Sequence, residues 1–432
     1  MPTLSRLVGV SLHAVPDEAP LVVRTVALDA DALAALVTLL PPADQVAWLR
    51  RGEGLVGWGV AARTTSQGPD RFAAVDAWWA ELVGHAVVRD EVDRPGTGPV
   101  CFASFGFADA PGTSVAVVPQ VVVGRRGDTA WLTTVAAGTL GRHETAPQPT
   151  AAPPAPVDLV VGPGALDDDA WAAAVAEAVA RIGDGRLEKV VLARDLIARA
   201  GAPIDVRWPL RRLTERYPTC WTFHVEGMFG ATPEMLVRRE RGLVTSRVLA
   251  GTIRRTGDDL RDLALAAALA RSSKDLEEHE YAVRSVAEAL GPHCTSMNVP
   301  EAPFVLHLPN VMHLATDVTG VVPVAESASS LALAAALHPS AAVGGTPTDV
   351  AVDTIAEIEG MDRGRYAAPV GWMDARGDGE WGIALRSAEL VGEQRDVVRL
   401  FAGCGIVGDS DPAAELAEAA AKFLPVRESL DS

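Results

Sequence analysis

The stretch PVGWMDARGDGEWGIALRSAELVGEQRDVVRLFAGCGIVG, residues 369–408, contains three apolar segments separated by polar turns. Valine, isoleucine, leucine and tryptophan fill the segments, whereas ARGDG and GEQRD contain the glycine and aspartate that tight turns favour. Strands joined by short turns pair antiparallel, because a parallel pairing needs a long crossover connection. The stretch therefore predicts three consecutive antiparallel strands near the end of the chain.

Similar short strands recur along most of the sequence, and regular alternation of strand and helix is missing. They include GLVGWGVAAR, VAVVPQVVVGRRG and TAWLTTVAAG in the first third, and WTFHVEGMFG, EMLVRRERG and LVTSRVLAGT later. We therefore expect an α+β fold in which large antiparallel sheets pack as a sandwich with flanking helices. The predicted helices include DDDAWAAAVAEAVARIGDG, RDLALAAALARSSKDLEEHEYAVRSVAEAL and DPAAELAEAAAKFLPVRESL.

The segment TAPQPTAAPPAPVD, residues 145–158, is the clearest break in composition. Proline and alanine dominate it, which is typical of an extended connector rather than of packed structure. It predicts a division between an N-terminal β-rich portion, residues 1–150, and a catalytic portion, residues 158–432.

Composition excludes several classes of function. The formal net charge of −18 argues against nucleic-acid binding, which needs a basic face. The sequence has no apolar run of membrane-spanning length, and its first twenty residues do not resemble a signal peptide. Four cysteines without metal-type spacing favour a reduced, cytoplasmic protein. An acidic protein that binds a small anion must supply local cations or backbone N–H groups.

Two predicted helices carry carboxylates three residues apart. Glu415, Glu418 and Lys422 share one helix face, and Asp275 and Glu278 share a face of the other helix. Such faces are commonly solvated and stabilised by ion pairs. The alternative is that one carboxylate from each helix binds Mg²⁺, which takes few protein carboxylates and leaves positions for an anionic substrate.

Ten short motifs follow one another between residues 186 and 425. Their order resembles that of the chorismate-utilising enzymes, and the chain is identified as a member of that family, which has an anthranilate synthase component I-like fold. The family includes isochorismate synthase, salicylate synthase, anthranilate synthase component I and aminodeoxychorismate synthase component I. The motifs are LEKVVLARD, GATPEMLVRR, LAGTIRR, SSKDLEEHE, VMHLATDVTG, HPSAAVGGTP, GRYAAPVGW, GIALRSAEL, FAGCGIVG and AELAEAAAK.

The resemblance implies a Mg²⁺ site and a chorismate site. Glu278 and Glu418 match the metal ligands, and Asp275 and Glu415 match direct or water-mediated partners. The metal is expected to anchor the ring carboxylate of chorismate. The expected substrate contacts are Tyr366 and Arg386 at the enolpyruvyl carboxylate, Lys422 at a carboxylate or the ring, and the backbone at Gly251, Thr252, Gly403 and Gly405.

The resemblance also implies an acid–base pair. Lys189 matches the general base that activates water for attack at C2 of the ring. Glu234 matches the general acid that protonates the leaving C4 hydroxyl, and this role requires a protonated carboxyl group. His313 matches a histidine near the ring that orients the substrate or supports the acid, although a structural histidine fits the position nearly as well.

Two alanines separate the members of the family. Ala250 stands where aminodeoxychorismate synthases carry a nucleophilic lysine, and Ala342 stands where the pyruvate-eliminating members carry threonine. Together with Lys189, these residues favour isochorismate synthase, an isomerase, with salicylate synthase as the first alternative and anthranilate synthase component I as the second. We expect a monomer without a glutaminase subunit, whose product serves menaquinone or siderophore biosynthesis.

Overall fold

The computed structural model describes residues 19–139, 147–307, 311–323 and 328–431, except the side chains of Lys274 and Glu278. Most of the predicted connector lies within these ranges, and most of the N-terminal twenty residues lie outside them. The strands of the N-terminal portion are β1 (Leu21–Leu28), β2 (Val46–Arg50), β3 (Glu53–Trp58), β4 (Ala62–Ser66), β5 (Val87–Asp90), β6 (Val100–Ser104), β7 (Ser114–Val118), β8 (Val121–Arg126) and β9 (Thr129–Ala137).

The remaining strands follow the connector. They are β10 (Val160–Pro163), β11 (Lys189–Arg199), β12 (Trp221–Val225), β13 (Met228–Thr232), β14 (Met235–Glu240), β15 (Leu243–Arg254), β16 (Ser296–Asn298), β17 (Phe304–His307), β18 (Val311–Val321), β19 (Gly345–Thr346), β20 (Pro369–Asp374), β21 (Gly379–Ile383), β22 (Ser387–Val391) and β23 (Val397–Ile406).

Helices lie between and around these strands. They are α1 (Leu36–Leu39), α2 (Arg71–Gly84), α3 (Asp168–Gly183), α4 (Arg207–Arg216), α5 (Asp259–Leu269), α6 (Ser273–Leu290), α7 (Ser330–Ala336), α8 (Thr348–Ile358) and α9 (Pro412–Leu430). Among the described residues, no helix is long and apolar enough to span a membrane.

The strands form two sheets. The first has the order β10-β11-β23-β22-β13-β12-β2-β3-β8-β9-β1-β5, with β19 also paired to β11. The second has the order β16-β18-β15-β14-β21-β20-β6-β7-β4, with β17 also paired to β18. Neighbouring strands pair antiparallel, apart from the parallel pair β1 and β5. The prediction of large antiparallel sheets with flanking helices is confirmed. The prediction of three strands in residues 369–408 was wrong in one respect, because the structure divides the middle strand into β21 of the second sheet and β22 of the first.

The N-terminal and C-terminal portions share both sheets. In the first sheet β2 pairs with β12, and in the second β6 pairs with β20. Neither portion therefore completes a sheet by itself, and the predicted division near residue 150 separates two portions of one sandwich.

Aromatic side chains fill the space between the sheets. Trp131, Trp381, Phe102 and Phe223 are among the largest fully buried residues of this core. A second apolar cluster, which includes Leu39, Leu210 and Phe423, covers the first sheet beneath α1, α4 and α9. The helices thus cover a sheet face that would otherwise expose apolar side chains to water.

The predicted helix in residues 261–290 was wrong in one respect, because the structure divides it into α5 and α6. The Ser272 hydroxyl accepts a hydrogen bond from the Asp275 N–H at 3.3 Å and caps α6. A serine cap satisfies an N–H group that a helix end leaves without a partner, so it favours a new helix start at this point. The break places Asp275 in the first turn of α6.

Glu380 of β21 connects the two sheets through a buried carboxylate, whose side chain is 8% exposed. Its Oε2 accepts hydrogen bonds from the indoles of Trp48 at 2.8 Å and Trp221 at 3.3 Å, both from the first sheet. Its Oε1 lies 3.3 Å from Nη2 of Arg126 and 2.9 Å from Nη2 of Arg238. One carboxylate thus satisfies four donors from both sheets.

Glu380→Ala should destabilise the fold, because the two buried indole N–H groups and the two arginines would lose their shared acceptor. We expect the free energy of unfolding to fall by about 3 kcal/mol, measured by urea denaturation. Glu240→Ala is the control, because Glu240 is 38% exposed and contacts Arg126 alone among these donors. Its loss should cost about 0.5 kcal/mol or less. Equal losses of unfolding free energy in the two variants would contradict the role of Glu380 in connecting the two sheets.

Candidate active site

The HPSAAVGGTP corner, residues 338–347, lies against the strand that begins at Lys189. Its last residues form β19, which pairs with β11 at Lys189 and Val190. The Val191 N–H donates to the carbonyl oxygen of Gly344 at 2.8 Å, and the Glu188 N–H donates to that of Thr346 at 2.8 Å. These backbone hydrogen bonds bring Ala342 and Lys189, which are far apart in sequence, to one place.

A cleft of about 760 Å³ opens at this place. Lys189, Glu234, Ala250 and Ala342 all line it, although they come from β11, the turn before β14, β15 and the 338–347 corner. Four of the residues predicted to decide the reaction therefore face one space. Ser340, which sequence analysis missed, also lines the cleft, and its buried hydroxyl has no hydrogen-bond partner among the described residues.

Glu234 has the electrostatic character of a general acid. The Thr232 hydroxyl accepts from its backbone N–H at 3.2 Å, and its carbonyl accepts from the Ile383 N–H at 3.1 Å. These bonds hold the turn between β13 and β14. Burial raises the pKa of Glu234 to about 7, against the opposing charges of Arg386 and Lys189. A substantial fraction of this carboxyl group therefore remains protonated at neutral pH.

The Lys189 side chain crosses the surface of Gly405 on the neighbouring strand. Gly405 pairs with Val191, so it lies one diagonal step from Lys189 on the same face of the sheet. A Cβ atom at Gly405 would lie 2.9 Å from Cε of Lys189 and 3.6 Å from Nζ. The missing side chain at Gly405 leaves room for the lysine.

Lysine is rare in this chain. The sequence contains 38 lysines and arginines, of which only Lys189, Lys274 and Lys422 are lysine. Lys189 and Lys422 are predicted site residues, and Lys274 precedes Asp275 at the start of α6. Arginine cannot act as a general base in proteins, whereas a lysine amine can. The positions of the few lysines are therefore an independent indication of chemistry here.

The charge of Arg386 affects four predicted site residues. It lowers the pKa of Glu234 and of His313 after the larger effect of burial, and that of Tyr366 after burial and the charge of Arg363. It also lowers the pKa of Glu418, after the charges of Lys422 and Arg254. The backbone of Arg386 has a φ of 50°, a conformation that residues other than glycine rarely adopt.

Tyr366 is held in place by its ring. The ring stacks on that of Phe401, with centroids 5.1 Å apart and planes 10° apart, and the residue is 4% exposed. Burial raises the pKa of Tyr366, so the phenol keeps its proton. A protonated phenol and a guanidinium are both hydrogen-bond donors suited to a carboxylate.

His313 lies opposite a bulge in β15. The register shifts between Ala250 and Thr252, and Gly251 adopts a φ of 75°. The Thr252 hydroxyl and Nδ1 of His313 are 2.9 Å apart and share a hydrogen bond. Burial, with the charges of Arg386 and Lys422, lowers the pKa of His313 to about 4. The imidazole is therefore neutral at neutral pH, which suits an orienting group better than a proton donor.

One predicted metal ligand packs against the bulge, and another acts on the histidine through its charge. A Cβ atom at Gly251 would lie 3.3 Å from Oδ1 of Asp275, so the Asp275 carboxylate packs against the bulge. The charge of Glu418 raises the pKa of His313, against the larger lowering by burial. The side chain of Glu278 lies outside the described residues, although its backbone belongs to α6.

The donor set on α9 suits Mg²⁺. Ligand atoms of Glu415, Glu418 and Cys404 all lie within 4.8 Å of one another. Mg²⁺ selects carboxylate oxygens, and burial raises the pKa of Cys404 to about 12, so the thiol keeps its proton. Burial would raise the pKa of Glu418, but the charges of Lys422 and Arg254 outweigh burial and lower it. Glu418 is therefore an anionic oxygen donor.

Lys422 connects this acidic pair to the sheet. Its Nζ lies 2.6 Å from Oε1 of Glu418 and donates to the carbonyl oxygen of Gly403 at 2.9 Å. Among the side chains that the structure describes, those predicted to bind the anion or the metal do not line the cleft described above. The charge of Arg386 acts both on Glu234, which lines the cleft, and on Glu418, which does not. Sequence analysis missed Arg254 as a neighbour of Glu418, although it lies in the LAGTIRR motif.

Comparisons with known proteins identify the family of this chain. The family model described as Chorismate binding enzyme matches residues 18–431. The chain belongs to this family. The salicylate biosynthesis isochorismate synthase of Pseudomonas aeruginosa is 34% identical over 410 residues, which cover 89% of this chain and 84% of that protein. Isochorismate synthase MenF of Bacillus subtilis is 38% identical over 269 residues, which span 61% of this chain and 56% of that relative.

Solved structures of this family share the fold. The menaquinone-specific isochorismate synthase MenF from Escherichia coli superimposes with a TM-score of 0.78 at 23% identity, covering 96% of this chain and 95% of that one. Anthranilate synthase component I from Streptococcus pneumoniae gives a TM-score of 0.66 at 20% identity, covering 98% and 95%. The predicted membership in the chorismate-utilising family is confirmed.

Gly405→Ala should displace the Lys189 amine while leaving the fold intact. The new methyl group meets the end of a flexible side chain, so the lysine moves rather than the backbone. Displacing a reacting group by about 1 Å can cost a hundredfold in rate, and we expect kcat to fall on the order of tenfold to a hundredfold. Thermal unfolding should be nearly unchanged.

Gly162→Ala in β10 is the matched control, because a Cβ atom there meets nothing within 4 Å. It should alter neither turnover nor the unfolding temperature. Unchanged turnover in Gly405→Ala would show that the position of Lys189 does not limit the reaction.

Proposed function

We propose that this chain is an isochorismate synthase, which moves the hydroxyl group of chorismate from C4 to C2. The observation that carries the proposal is the shared cleft of Lys189 and Glu234, in which burial raises the pKa of Glu234 to about 7. A base for water and a protonated acid for the leaving hydroxyl are the two groups that this isomerisation requires.

The acid and the base have separate tasks. Lys189 removes a proton from the water that attacks C2, and the ring double bonds shift. Glu234 gives its proton to the C4 hydroxyl, which leaves as water. The raised pKa of Glu234 supports this assignment, because a carboxyl group with an ordinary pKa is ionised at neutral pH.

The remaining groups bind and orient the substrate. Arg386 and Tyr366 are proposed to bind the enolpyruvyl carboxylate, because a guanidinium pairs bidentately with a carboxylate. His313 is neutral and is proposed to orient the ring through its contact with Thr252. Backbone at Gly251 and Gly403 lies close to these groups and is proposed to approach the ligand.

Mg²⁺ is part of the proposal. Glu418 and Glu278 would be its ligands, with Glu415 and Asp275 as direct or water-mediated partners. When bound, the ion would supply the positive charge that the ring carboxylate of the substrate needs in an acidic protein. The carboxylate oxygens of Glu415 and Glu418, which lie within 4.8 Å of each other, support this assignment.

The reaction is proposed to end at isochorismate. Ala342 lines the cleft without a hydroxyl that could place a water or the enolpyruvyl group for elimination of pyruvate. Relatives named for menaquinone and for salicylate biosynthesis both resemble this chain, and we propose that its product supplies menaquinone or siderophore biosynthesis.

Purified protein should convert chorismate to isochorismate in the presence of Mg²⁺, without a second subunit. Chromatography would separate the products, while a coupled assay would measure pyruvate. Removing the metal with a chelator should abolish turnover, and adding Mg²⁺ should restore it. Stoichiometric pyruvate with salicylate would replace the proposal by salicylate synthase. Absence of any conversion of chorismate would refute the proposal.

The pH dependence should report the ionisation of Glu234. The acid acts only while protonated, whereas the base Lys189 acts only while deprotonated, so the two groups change log(kcat/KM) in opposite directions as the pH rises. Ionisation of Glu234 should therefore lower the slope of log(kcat/KM) against pH by about one at a pH of about 7. The measurement is kcat/KM for chorismate between about pH 6 and about pH 9, because this ratio reports groups of the free enzyme.

Glu234→Gln is the control for this assignment. The amide cannot give up a proton, so kcat should fall by at least about a hundredfold. Any residual rate should lose this change of slope. A wild-type profile with no change of slope near a pH of about 7 would remove Glu234 from the role of general acid.

A further inference from the structure

Arg363 and Glu359 form a buried ion pair behind the cleft. Glu359 follows the last residue of α8, and Arg363 lies four residues later in the turn before β20. Nε and Nη2 of Arg363 donate to the two carboxylate oxygens of Glu359 at 2.8 and 2.6 Å. The two side chains are 2% and 0% exposed. The motifs assigned to substrate binding in the sequence do not use either residue.

The guanidinium joins the two segments that carry Ala342 and Lys189. Nη1 of Arg363 donates to the carbonyl oxygen of Val343 at 2.8 Å, directly after Ala342. Nη2 donates to the carbonyl oxygen of Val191 at 2.7 Å, two residues after Lys189. The pair therefore bridges the 338–347 corner and β11 from behind the cleft.

Further contacts fix the pair in place. The Ala193 N–H donates to Oε2 of Glu359 at 2.7 Å, which attaches the carboxylate to β11 as well. The Phe107 ring covers the guanidinium, with 4.3 Å between its centroid and the Arg363 Cζ. The Arg363 carbonyl accepts from the Tyr366 N–H at 2.9 Å. Every bond of this network therefore ends on a segment that carries a predicted site residue.

Stability alone does not account for such a pair. Removing two charges from water costs free energy that their attraction often does not recover, and apolar residues of similar size are frequently as stable. A planar guanidinium holds its N–H donors in fixed directions, so the position of one hydrogen-bond partner restricts the positions of the others. The structure therefore points to a role in setting distances between the segments.

We propose that Arg363 and Glu359 are positioning residues, which hold β11 against the 338–347 corner and so place the Lys189 amine in the cleft. The part of the Lys189 amine in the reaction rests on the proposed function. The position of the amine does not depend on that function and can be measured without chorismate.

The chain contains a matched comparison two residues away. Arg365 makes the same kind of network, with Nε and Nη2 donating to Oε1 of Glu389 at 3.1 and 2.5 Å. Its Nη1 and Nη2 donate to the carbonyl oxygens of Val225 and Glu226 at 3.1 and 2.6 Å. These carbonyls belong to the last residue of β12 and to the turn that follows it, neither of which lines the cleft. Replacing Arg365 therefore controls for the general effect of losing a partly or fully buried arginine.

The test compares Arg363→Lys with Arg365→Lys. Lysine keeps the positive charge, but its single amine cannot donate hydrogen bonds to two carbonyl oxygens and to both oxygens of a carboxylate at once. For Arg363→Lys we expect kcat to fall on the order of tenfold to a hundredfold, with KM for chorismate within about threefold of the wild type. For Arg365→Lys we expect kcat within about twofold, although both variants should lower the unfolding temperature.

A second readout follows the amine itself. Because the natural chain has three lysines, an amine-reactive acylating reagent and peptide mass spectrometry can follow Lys189 by itself. The acylation rate at Lys189 should change severalfold in Arg363→Lys and stay constant in Arg365→Lys. If the wild type does not convert chorismate, the proposed function fails and this labelling result alone decides the positioning role.

The gentler variant Phe107→Leu covers the case in which Arg363→Lys does not fold. It removes the ring from the guanidinium face but leaves every hydrogen bond, so kcat should fall severalfold with KM unchanged. Equal effects of Arg363→Lys and Arg365→Lys on kcat and labelling would overturn the proposal. An unchanged kcat in folded Arg363→Lys or Phe107→Leu would do the same.

Discussion

The ladder between β11 and β23 is the constraint on which the site depends. It runs without interruption from the pair Val190 and Ile406 to the pair Arg199 and Val397. A shift of one residue would turn every side chain to the opposite face of the sheet. Lys189 would then leave the cleft, and Gly405 would no longer lie beneath its side chain. Because α9 packs on β23, the same ladder also determines where Glu418 and Lys422 lie.

Charge placement explains how an acidic chain can accept an anionic ligand. The net charge is −18, yet the positive charge of Arg386 acts on Glu234, Tyr366, His313 and Glu418. Such a local charge matters more to a bound anion than the net charge of the chain, because buried groups are screened less than groups in water. Burial has opposite effects on the two titrating groups there: it raises the pKa of Glu234 and lowers that of His313. Both groups are consequently available in their neutral forms.

Much of this arrangement could be predicted from the sequence, because local patterns determined it. Apolar segments separated by glycine-containing turns predicted the antiparallel sheets, and the ordered motifs predicted the family. The roles that the motifs assign to the site residues stay predictions. The helix break at Ser272 was missed. The alanine-rich stretch before it continues the helical pattern, and only the side-chain hydrogen bond of Ser272 marks the start of a new helix. Ser340, Arg254 and the Arg363–Glu359 pair were missed for another reason. Their partners come from distant segments, and sequence spacing carries no information about such contacts.

The sequence by itself determined which chemical groups are present and which are missing. It supplies a lysine at 189, a carboxyl group at 234 and alanines at 250 and 342, and no folding event can add a hydroxyl to those alanines. Only the tertiary structure decided that these groups meet in one cleft and that the carboxyl group there has a pKa of about 7. The reason is physical: a pKa depends on burial and on neighbouring charges, and both arise when strands from distant parts of the chain pair.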